Sequence, residues 1–525
     1  MMKLPFGKEN ERLFFDGAMG TMLQAAGLAP GESPERWNLL YPEKVLAVHE
    51  AYLAAGADIL KTNTFGANRL KMEKLGLSAR EVVSRGVELA KEAVRKAGRG
   101  LVAMDIGPTG RLLEPMGDLA FRDAAALFGE MAAAGRDAGA DLILIETMSD
   151  LYEAKAAVIA AKETGLPVFV TVTFDEKGRL LTGGDAAAAA VTLSALGVSA
   201  LGLNCGVGPE GIRPVLQKMG EYTSLPLIAN PNAGLPKTAD GKIFYDVGPE
   251  AFARAMKGAV EAGGAILGGC CSTAPAHIAR LSDSIRGIPL PEEARELPTA
   301  VSGGTRTVTL GRGPVLLGDR IRGEETWEID DLVDEALAEA DDGAEILGLL
   351  TELPAGEEAV REVQSMTALP LALYADDPEK LEALLYTYNG KPLVGPVTLG
   401  EADRVFPLIQ KYGGVALCLT EGEDGAPQSA EERLRAAKLF LEKAAACGIA
   451  KHDLVLDPLE QGDGENGEAA LAALKLIREN LGVKTSLGAS GKTPVTPALL
   501  RRGEEKPDLV FADPGDEEIR DALGV

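Results

Sequence analysis

The chain has 525 residues, of which 46% are hydrophobic and 25% are charged, so it is long enough for two or three domains and too apolar for wholesale disorder. The 53 basic and 79 acidic residues give a net charge of −26, which disfavours binding to nucleic acid or an anionic membrane. Five cysteines, no long apolar run and a polar N-terminal segment argue against a disulfide scaffold, a transmembrane helix and export. We therefore expect a cytoplasmic protein with reduced thiols.

The first 290 residues alternate short apolar runs with longer amphipathic stretches. Each run has the length of a strand buried on both faces of a parallel sheet. The eight runs lie at 12–17, 57–66, 100–108, 140–148, 167–174, 200–206, 226–234 and 265–271. Residues 79–98 illustrate the intervening helical pattern, with an apolar stripe that includes Val83, Val87 and Ala90. Eight strands alternating with eight helices predict a (β/α)8 barrel.

A second set of alternating elements follows a break in the pattern. Residues 287–305 are rich in Pro, Gly and Glu without periodicity, which is typical of a linker. Eight further apolar runs lie at 314–320, 345–352, 369–376, 391–398, 414–421, 453–460, 483–490 and 508–514. We therefore predict an α/β protein of two tandem (β/α)8 TIM barrels, with domains at 1–290 and 307–525 and a linker at 291–306. A doubly wound sheet is the alternative for the second domain.

Candidate functional residues follow the strands of the first barrel, because the active site of this fold lies at the C-terminal ends of its strands. Asn204 and Cys205 end the sixth run, and Cys270 and Cys271 end the eighth. Strand tips two positions apart lie about 10 Å from each other, so the three thiolates could bind one zinc ion and leave a fourth position open. The alternative is that each cysteine is a small buried hydrophobe.

Several motifs of the first half resemble those of the homocysteine S-methyltransferase family, in the order found in the first module of cobalamin-dependent methionine synthases. They are FDGAMGTMLQ (15–24), TNTFGANRLKM (62–72), DIGPTG (105–110), ET (146–147), TFDEKGRLLTG (173–183), GLNCGVGPEG (202–211), PNAGLP (231–236) and GGCCSTAPAHI (268–278). The resemblance places the family's three zinc ligands on Cys205, Cys270 and Cys271. Ser272 stands where the family usually has a glycine.

The resemblance implies that Zn²⁺ binds and deprotonates the thiol of L-homocysteine, which then takes a methyl group and gives methionine. It also implies that Asp16 and Glu146 bind the substrate's ammonium group. Asn204 would bind the substrate carboxylate or support a metal ligand. A turn-forming role for Asp16 and a charge at the start of a helix for Glu146 are the structural alternatives.

The second half resembles the family's folate-binding barrel only in fragments. VLLGDRI (315–321) and LDPLEQG (456–462) fit it, and the latter makes Asp457 a candidate pterin-binding residue. The family's Asp-Val-Asn and Ser-Asn motifs are replaced by GLLTE (348–352) and ASGKTP (489–494). Because such side chains pair with the pterin ring, these replacements argue against methyltetrahydrofolate as a ligand, and a packing or docking role is the alternative.

The methyl donor is expected to come from elsewhere, since none of His49, His277 and His452 lies in the family's Asp-x-His-x-x-Gly cobalamin motif. Methylcobalamin carried by a separate corrinoid protein or module is the first expectation. S-methylmethionine or S-adenosylmethionine, and a folate-dependent fragment of a methionine synthase, are alternatives. A zinc-stapled thiol-binding protein without activity, and a methyltransferase for another thiol or selenol, are the remaining readings.

Overall fold

The structure, a computed structural model, describes residues 11–239, 242–291, 296–323, 327–351, 355–421, 427–458, 465–488, 495–503 and 505–525. The first half forms an eight-stranded parallel sheet that closes on itself. Its strands are β1 Leu13–Phe14, β2 Ile59–Lys61, β3 Leu101–Ile106, β4 Leu142–Met148, β5 Val168–Val172, β6 Ala200–Asn204, β7 Leu227–Asn230 and β10 Gly264–Leu267. A parallel bridge between Phe15 and Ile59 joins β1 to β2 and closes the barrel.

Helices surround this barrel, as the alternating pattern predicts. They are α1 Met19–Ala25, α2 Trp37–Leu40, α3 Pro42–Ala54, α4 Arg69–Met72, α5 Ala79–Ala97, α6 Phe121–Asp137, α7 Leu151–Lys162, α8 Ala186–Ala195, α9 Ile212–Gly220, α10 Pro249–Ala255, α11 Lys257–Glu261 and α12 Pro275–Ile285. A short antiparallel hairpin, β8 Lys237–Ala239 with β9 Lys242–Phe244, follows β7. The predicted helix over 79–98 is confirmed as α5, whose apolar stripe is buried.

The barrel interior is filled by large and small apolar side chains that point inward from alternate strand positions. Phe15 and Phe169 meet edge to face, with ring centroids 6.5 Å apart. Ala103 and Ala200 supply the small partners beside them. This packed interior leaves the strand ends as the place where polar side chains gather.

The second half forms a second closed parallel barrel. Its strands are β13 Val315–Gly318, β15 Ile346–Thr351, β16 Leu371–Leu373, β17 Leu393–Val397, β18 Val415–Leu419, β19 Leu454–Asp457, β20 Lys484–Leu487 and β21 Leu509–Ala512. Strand β13 pairs with both β21 and β15, which closes the sheet and excludes the doubly wound alternative. The predicted fold of two tandem (β/α)8 barrels is therefore confirmed.

Eight helices alternate with the strands of the second barrel among the residues that the structure describes. They are α13 Ile329–Asp341, α14 Gly356–Met366, α15 Pro378–Thr387, α16 Ala402–Tyr412, α17 Ala430–Ala446, α18 Glu465–Leu481, α19 Pro497–Arg502 and α20 Glu517–Leu523. The short strand β14 Arg322–Gly323 pairs with β15. An antiparallel hairpin of β11 Ala300–Ser302 and β12 Thr307–Thr309 precedes the barrel.

The chain divides into two compact units, and the second begins its main body at Leu297. Strand β11 lies inside the segment predicted as a linker, so that segment contains regular structure. The replaced motif ASGKTP (489–494), Glu352 and residues 459–462 lie outside the described residues. Among the helices of the described ranges, none combines the length and apolarity needed to cross a bilayer.

Candidate metal centre

Three cysteine sulfurs converge at the C-terminal rim of the first barrel. Cys205 follows β6, and Cys270 and Cys271 lie in the loop after β10. The three sulfur atoms lie within 4.8 Å of one another, and the Cys205 and Cys271 sulfurs are 3.9 Å apart. Tetrahedral zinc with Zn–S bonds of about 2.3 Å separates its sulfur ligands by about 3.8 Å. The cysteines therefore have the donor set and nearly the spacing of a three-thiolate zinc site.

The backbone around the cysteines is held in an uncommon conformation. Outside glycine, the described residues with φ in the left-handed region are Thr147 at 63°, Cys205 at 57° and Ser272 at 59°. All three flank the sulfur cluster. Such conformations cost about 1–2 kcal/mol each for residues with a Cβ and persist only where surrounding contacts hold them. The strain is thus concentrated at the candidate site.

Asn230 at the end of β7 and the loop that follows it hold the backbones of the three cysteines. The Cys205 amide donates to the Asn230 carbonyl at 3.1 Å, and the Cys270 amide donates to the Pro231 carbonyl at 2.8 Å. The Cys271 amide donates to Asn232 Oδ1 at 3.0 Å. Three consecutive residues, Asn230–Asn232, therefore fix the backbones of all three cysteines, although the cysteines follow two non-adjacent strands.

Two glycines, Gly268 and Gly269, directly precede the cysteine pair. Neither has a positive φ, so they are not required for a left-handed backbone conformation. A Cβ atom at Gly269 would instead lie 2.4 Å from Thr273 Oγ1, and one at Gly268 would lie 2.6 Å from Phe15 Cβ. These glycines allow close packing of the loop onto the barrel.

The thiols ionise as a group rather than separately. Hydrogen bonds from the Cys270 and Cys271 thiols lower the pKa of Cys205. Hydrogen bonding to Cys205 raises the pKa of both Cys270 and Cys271. Tyr245, which sequence reasoning missed, lies near these thiols, and burial together with the charge of Cys271 raises the pKa of Tyr245 to about 12. A divalent cation would favour ionisation of all three thiols.

Asn204 is fully buried, and its amide connects β4 to a cysteine. Its Oδ1 accepts from the Thr147 amide at 2.8 Å and from Thr171 Oγ1 at 2.8 Å. Its Nδ2 donates to Thr147 Oγ1 at 2.7 Å and to Cys270 Sγ at 3.6 Å. These contacts favour the predicted support of a metal ligand over the predicted contact with a substrate carboxylate.

Asp16 and Glu146 lie at the same rim, and a lysine stands between them. The Lys61 ammonium is 3.9 Å from Asp16 Oδ1 and 3.6 Å from Glu146 Oε2. It donates to the Gly269 carbonyl at 3.1 Å, and Asp16 Oδ2 accepts from the Lys61 amide at 3.0 Å. Sequence reasoning missed Lys61, although a charged residue that ends the apolar run ADIL was the available signal.

Burial dominates the electrostatics of this charged group. It raises the pKa of Asp16 to about 7, against the opposing effect of Lys61. Burial also raises the pKa of Glu146 and of the neighbouring Asp105. The charges of Glu146 and Asp16 raise the pKa of Lys61 although burial opposes them. A further cation at this site would therefore stabilise the ionised forms of these buried carboxylates.

Asp457, the candidate pterin-binding residue, lies in the second unit at the end of β19. It is fully buried, and its Oδ2 accepts from Ser486 Oγ at 2.8 Å. The Thr420 amide donates to the Asp457 carbonyl at 2.9 Å. Part of the strand-end loops on either side of it lies outside the described residues.

Comparisons with known proteins agree with the motifs of the first barrel. Residues 13–285 match the family model described as homocysteine S-methyltransferase. The methionine synthase of Mycobacterium tuberculosis (strain ATCC 25618 / H37Rv) is 27% identical over 528 residues, which cover 90% of this chain and 44% of that protein. The methionine synthase of Mycobacterium leprae (strain TN) is 27% identical over 533 residues, which also cover 90% of this chain and 44% of that protein.

This chain therefore spans less than half the length of these curated relatives. Among solved structures, the metallated form of the homocysteine methyltransferase MmuM from Escherichia coli is 27% identical. That match covers 52% of this chain and 96% of that one, with a TM-score of 0.46.

Proposed function

Since this chain belongs to the homocysteine S-methyltransferase family, we propose that it methylates the thiol of L-homocysteine to give methionine, with a zinc ion bound by Cys205, Cys270 and Cys271. The observation that carries the proposal is the convergence of three sulfurs at the barrel rim, beside buried carboxylates. A zinc site that only stabilises the fold needs no side chains besides the cysteines. The charged groups beside them favour an enzyme over a zinc-stapled thiol-binding protein.

A zinc ion bound by three thiolates lowers the pKa of a thiol in its fourth position, and so supplies a thiolate nucleophile at neutral pH. Asp16 and Glu146 bind the substrate's ammonium group and orient its side chain toward the sulfur cluster. Asn204 holds Cys270 in position. The substrate sulfur then attacks the methyl carbon in line, and the donor leaves with the bonding electron pair.

The proposed methyl donor is methylcobalamin on a separate corrinoid protein or module. Two observations support it. The chain matches 44% of each methionine synthase, so more than half of each relative lies outside the matched region and leaves room for a part that carries a corrinoid. His49 and His277 are buried within helices, and neither they nor His452 lies in an Asp-x-His-x-x-Gly motif.

The test uses the zinc-loaded full chain with homocysteine and separate donors. We expect about one zinc per chain, and methionine formation from methylcobalamin exceeding that from S-methylmethionine, S-adenosylmethionine or methyltetrahydrofolate. Turnover with a sulfonium donor but not with methylcobalamin would show that the methyl donor is the sulfonium compound. Zinc binding without methyl transfer from any donor would favour the non-enzymatic alternative.

Variants of single cysteines test the metal's role. Cys270→Ser should lose both zinc and activity, because a neutral hydroxyl is a poor zinc ligand. Cys447→Ser is the matched control, since Cys447 lies at the end of α17 in the second unit and should leave both unchanged. Full turnover by metal-free Cys270→Ser protein would contradict the mechanism. Homocysteine binding should also release about one proton, measured by calorimetry in two buffers.

A further inference from the structure

The motif that contains the cysteine pair continues into helix α12, and the proposed chemistry gives its histidine no role. His277 is the third residue of α12 and lies six residues after Cys271. Its side chain is 9% exposed. The imidazole meets the ring of Phe252, in α10, edge to face, with the two centroids 5.6 Å apart. The imidazole is therefore held in one place, close in the chain to a proposed metal ligand.

Both nitrogens of the His277 imidazole have hydrogen-bond partners. The Ala274 amide donates to Nδ1 at 3.1 Å, and Nε2 lies 3.0 Å from the Val247 carbonyl oxygen. An amide N–H can only donate and a carbonyl can only accept, so these partners require a neutral imidazole with its proton on Nε2. One side chain thus joins the start of α12 to the loop between β7 and α10.

The same loop binds the backbone of Cys271. The Ala233 amide donates to the Cys271 carbonyl at 3.0 Å, and the Val247 amide donates to the Ala233 carbonyl at 3.0 Å. Together with the two hydrogen bonds of His277, these contacts form a closed cycle that returns to Ala274, three residues after Cys271. His277 is the one member of this cycle that contributes through its side chain.

The cycle encloses a strained turn. Ser272, directly after Cys271, has a φ of 59°. A residue with a Cβ keeps such a conformation only where the surrounding structure holds it. The loop after β7 holds the turn at Cys271, and His277 holds it at Ala274. Loss of either contact would allow the turn to relax and would move the Cys271 sulfur.

A helix cap is the simpler role for His277. At the third position of a helix, a side-chain acceptor commonly binds the amide of the residue that precedes the helix, as Nδ1 does with Ala274. Capping needs that acceptor alone. The bond from Nε2 to Val247, 30 residues away in the sequence, contributes nothing to the cap, and it is the bond that closes the cycle. The two roles therefore depend on different nitrogens.

We propose that His277 is a positioning residue of the zinc site, and that donation from its Nε2 to the Val247 carbonyl keeps the Cys271 sulfur in place as a ligand. The inference rests on the zinc site of the proposed function and assigns a role to a residue beyond the three ligands. A side chain that replaces His277 must supply both an acceptor and a donor.

Two variants of the full chain separate positioning from capping. His277→Gln supplies both an acceptor and a donor, whereas His277→Glu supplies acceptors alone. Glutamate caps this helix position well, and its negative charge favours a nearby cation, so capping and charge both predict zinc binding at least as tight as in wild type. We expect instead that zinc affinity falls about tenfold in His277→Glu and stays within about threefold of wild type in His277→Gln, measured by competition with a chelator.

Cobalt provides a spectroscopic measure of the ligands. Cobalt(II) bound in place of zinc absorbs light through charge transfer from its thiolate ligands, and the absorption rises with the number of thiolates. His277→Glu should lose about one third of this absorption, because one of three thiolates leaves the metal. Wild type and His277→Gln should give the same spectrum.

Ser78→Ala is the control for loss of a helix cap elsewhere in the first barrel. Ser78 Oγ accepts from the Glu81 amide at 3.4 Å at the start of α5. This variant should lower the stability of the first unit and leave zinc affinity and the cobalt spectrum unchanged. If His277→Glu folds poorly, His277→Asn replaces it, because the shorter amide offers an acceptor to Ala274 without a donor that reaches Val247.

The outcomes distinguish this role from the function on which it rests. Equal zinc affinities of His277→Glu and wild type, an equal loss in His277→Gln and His277→Glu, or an unchanged cobalt spectrum in His277→Glu would overturn it. A wild-type protein that binds no zinc would refute the metal site and the role of His277 together. None of these measurements uses a methyl donor, so a zinc-loaded wild type that is inactive with every donor would refute the proposed activity alone.

Discussion

Asn204 connects the cysteine cluster to β4 through one buried amide. Its hydrogen bonds to Thr147 hold a residue whose φ is 63°, and its contact with Cys270 positions a sulfur. A buried amide whose donors and acceptors are all hydrogen-bonded is held rigidly, because each lost hydrogen bond would leave an unpaired polar atom. We infer that this residue sets the geometry of the cysteine cluster.

Asn204→Ala should therefore lower zinc affinity by about 10–100-fold, the usual effect of removing a partner of a metal ligand. Competition with a chelator of known affinity measures the change. Asn38→Ala is the control, because Asn38 is an equally buried amide that donates to the Asn63 and Val82 carbonyls, away from the sulfurs. Equal zinc affinities for wild type and Asn204→Ala would contradict the role given to Asn204.

The buried state of Asp16 predicts a pH dependence of stability in metal-free protein. Burial raises the pKa of Asp16 from 3.8 to about 7, so the folded state binds this proton more tightly than the unfolded chain. Its contribution to the free energy of unfolding is fully present below about pH 4 and is lost as the pH rises through 7. Lys61, whose pKa is raised, keeps its charge throughout this window.

Asp16→Asn should remove this contribution, because an amide does not titrate. Urea unfolding of metal-free protein between pH 4 and pH 8 should show a larger loss of stability in wild type than in Asp16→Asn, by up to a few kcal/mol. Parallel pH profiles for the two proteins would show that Asp16 does not carry the effect.

The ends of the strands, rather than their interiors, position the candidate site. The strands of the first barrel are two to seven residues long, and the ligands lie just beyond β6 and β10. The end of β7 and the loop after it join those two ends through Asn230, Pro231 and Asn232. A change in loop packing, such as a side chain at Gly269, would therefore disturb the sulfurs without altering any strand.

The last helix, α20, completes the second barrel and begins with a side-chain cap. Asp516 Oδ1 accepts from the Glu518 amide at 2.9 Å and from the Ile519 amide at 3.1 Å. Ile519, Ala522 and Leu523 of this helix pack into a buried cluster with residues of β13 and β21. The cap thus supports a helix that covers one side of the closing strands.

Asp516→Ala should destabilise the second unit by about 1 kcal/mol, because two amides at the start of α20 lose their acceptor. Asp516→Asn should restore most of this loss, since asparagine caps helices about as well. Thermal unfolding monitored by calorimetry measures both variants. A loss of the same size in Asp516→Asn would assign the effect to charge instead of capping.

At the scale of the whole molecule, each unit has a closed sheet and an apolar interior of its own. The interior of the first includes Phe15 and Phe169, and that of the second includes Leu317 and Phe511. The three cysteines of the proposed metal site all belong to the first unit. A ligand that binds one folded unit stabilises that unit by mass action.

Removal of zinc should therefore lower the unfolding temperature of the first unit and leave that of the second unchanged. At a free zinc concentration 100 times the dissociation constant, the stabilisation is about 2.7 kcal/mol. Calorimetry with and without a chelator tests this, and Cys205→Ser protein should show no response to the chelator. An equal shift of all transitions would contradict separate stabilisation of the first unit.

Two barrels could be predicted from the sequence, because strands buried on both faces leave short continuous apolar runs and their helices leave a 3.6-residue stripe. Those patterns are local, and each of the sixteen barrel strands lies within or at the edge of a predicted run. The motifs likewise marked Asp16, Glu146, Asn204 and the three cysteines as strand-end residues.

Only the tertiary structure decided which of these side chains meet and what stands between them. Lys61 lies between Asp16 and Glu146 because β2 pairs next to the end of β1, and Asn204 reaches Cys270 across the rim. Such contacts join residues 45 to 85 positions apart, and they depend on strand order, register and loop packing. A local pattern contains none of that information, because the free energy of these contacts arises only when the barrel closes and water is excluded.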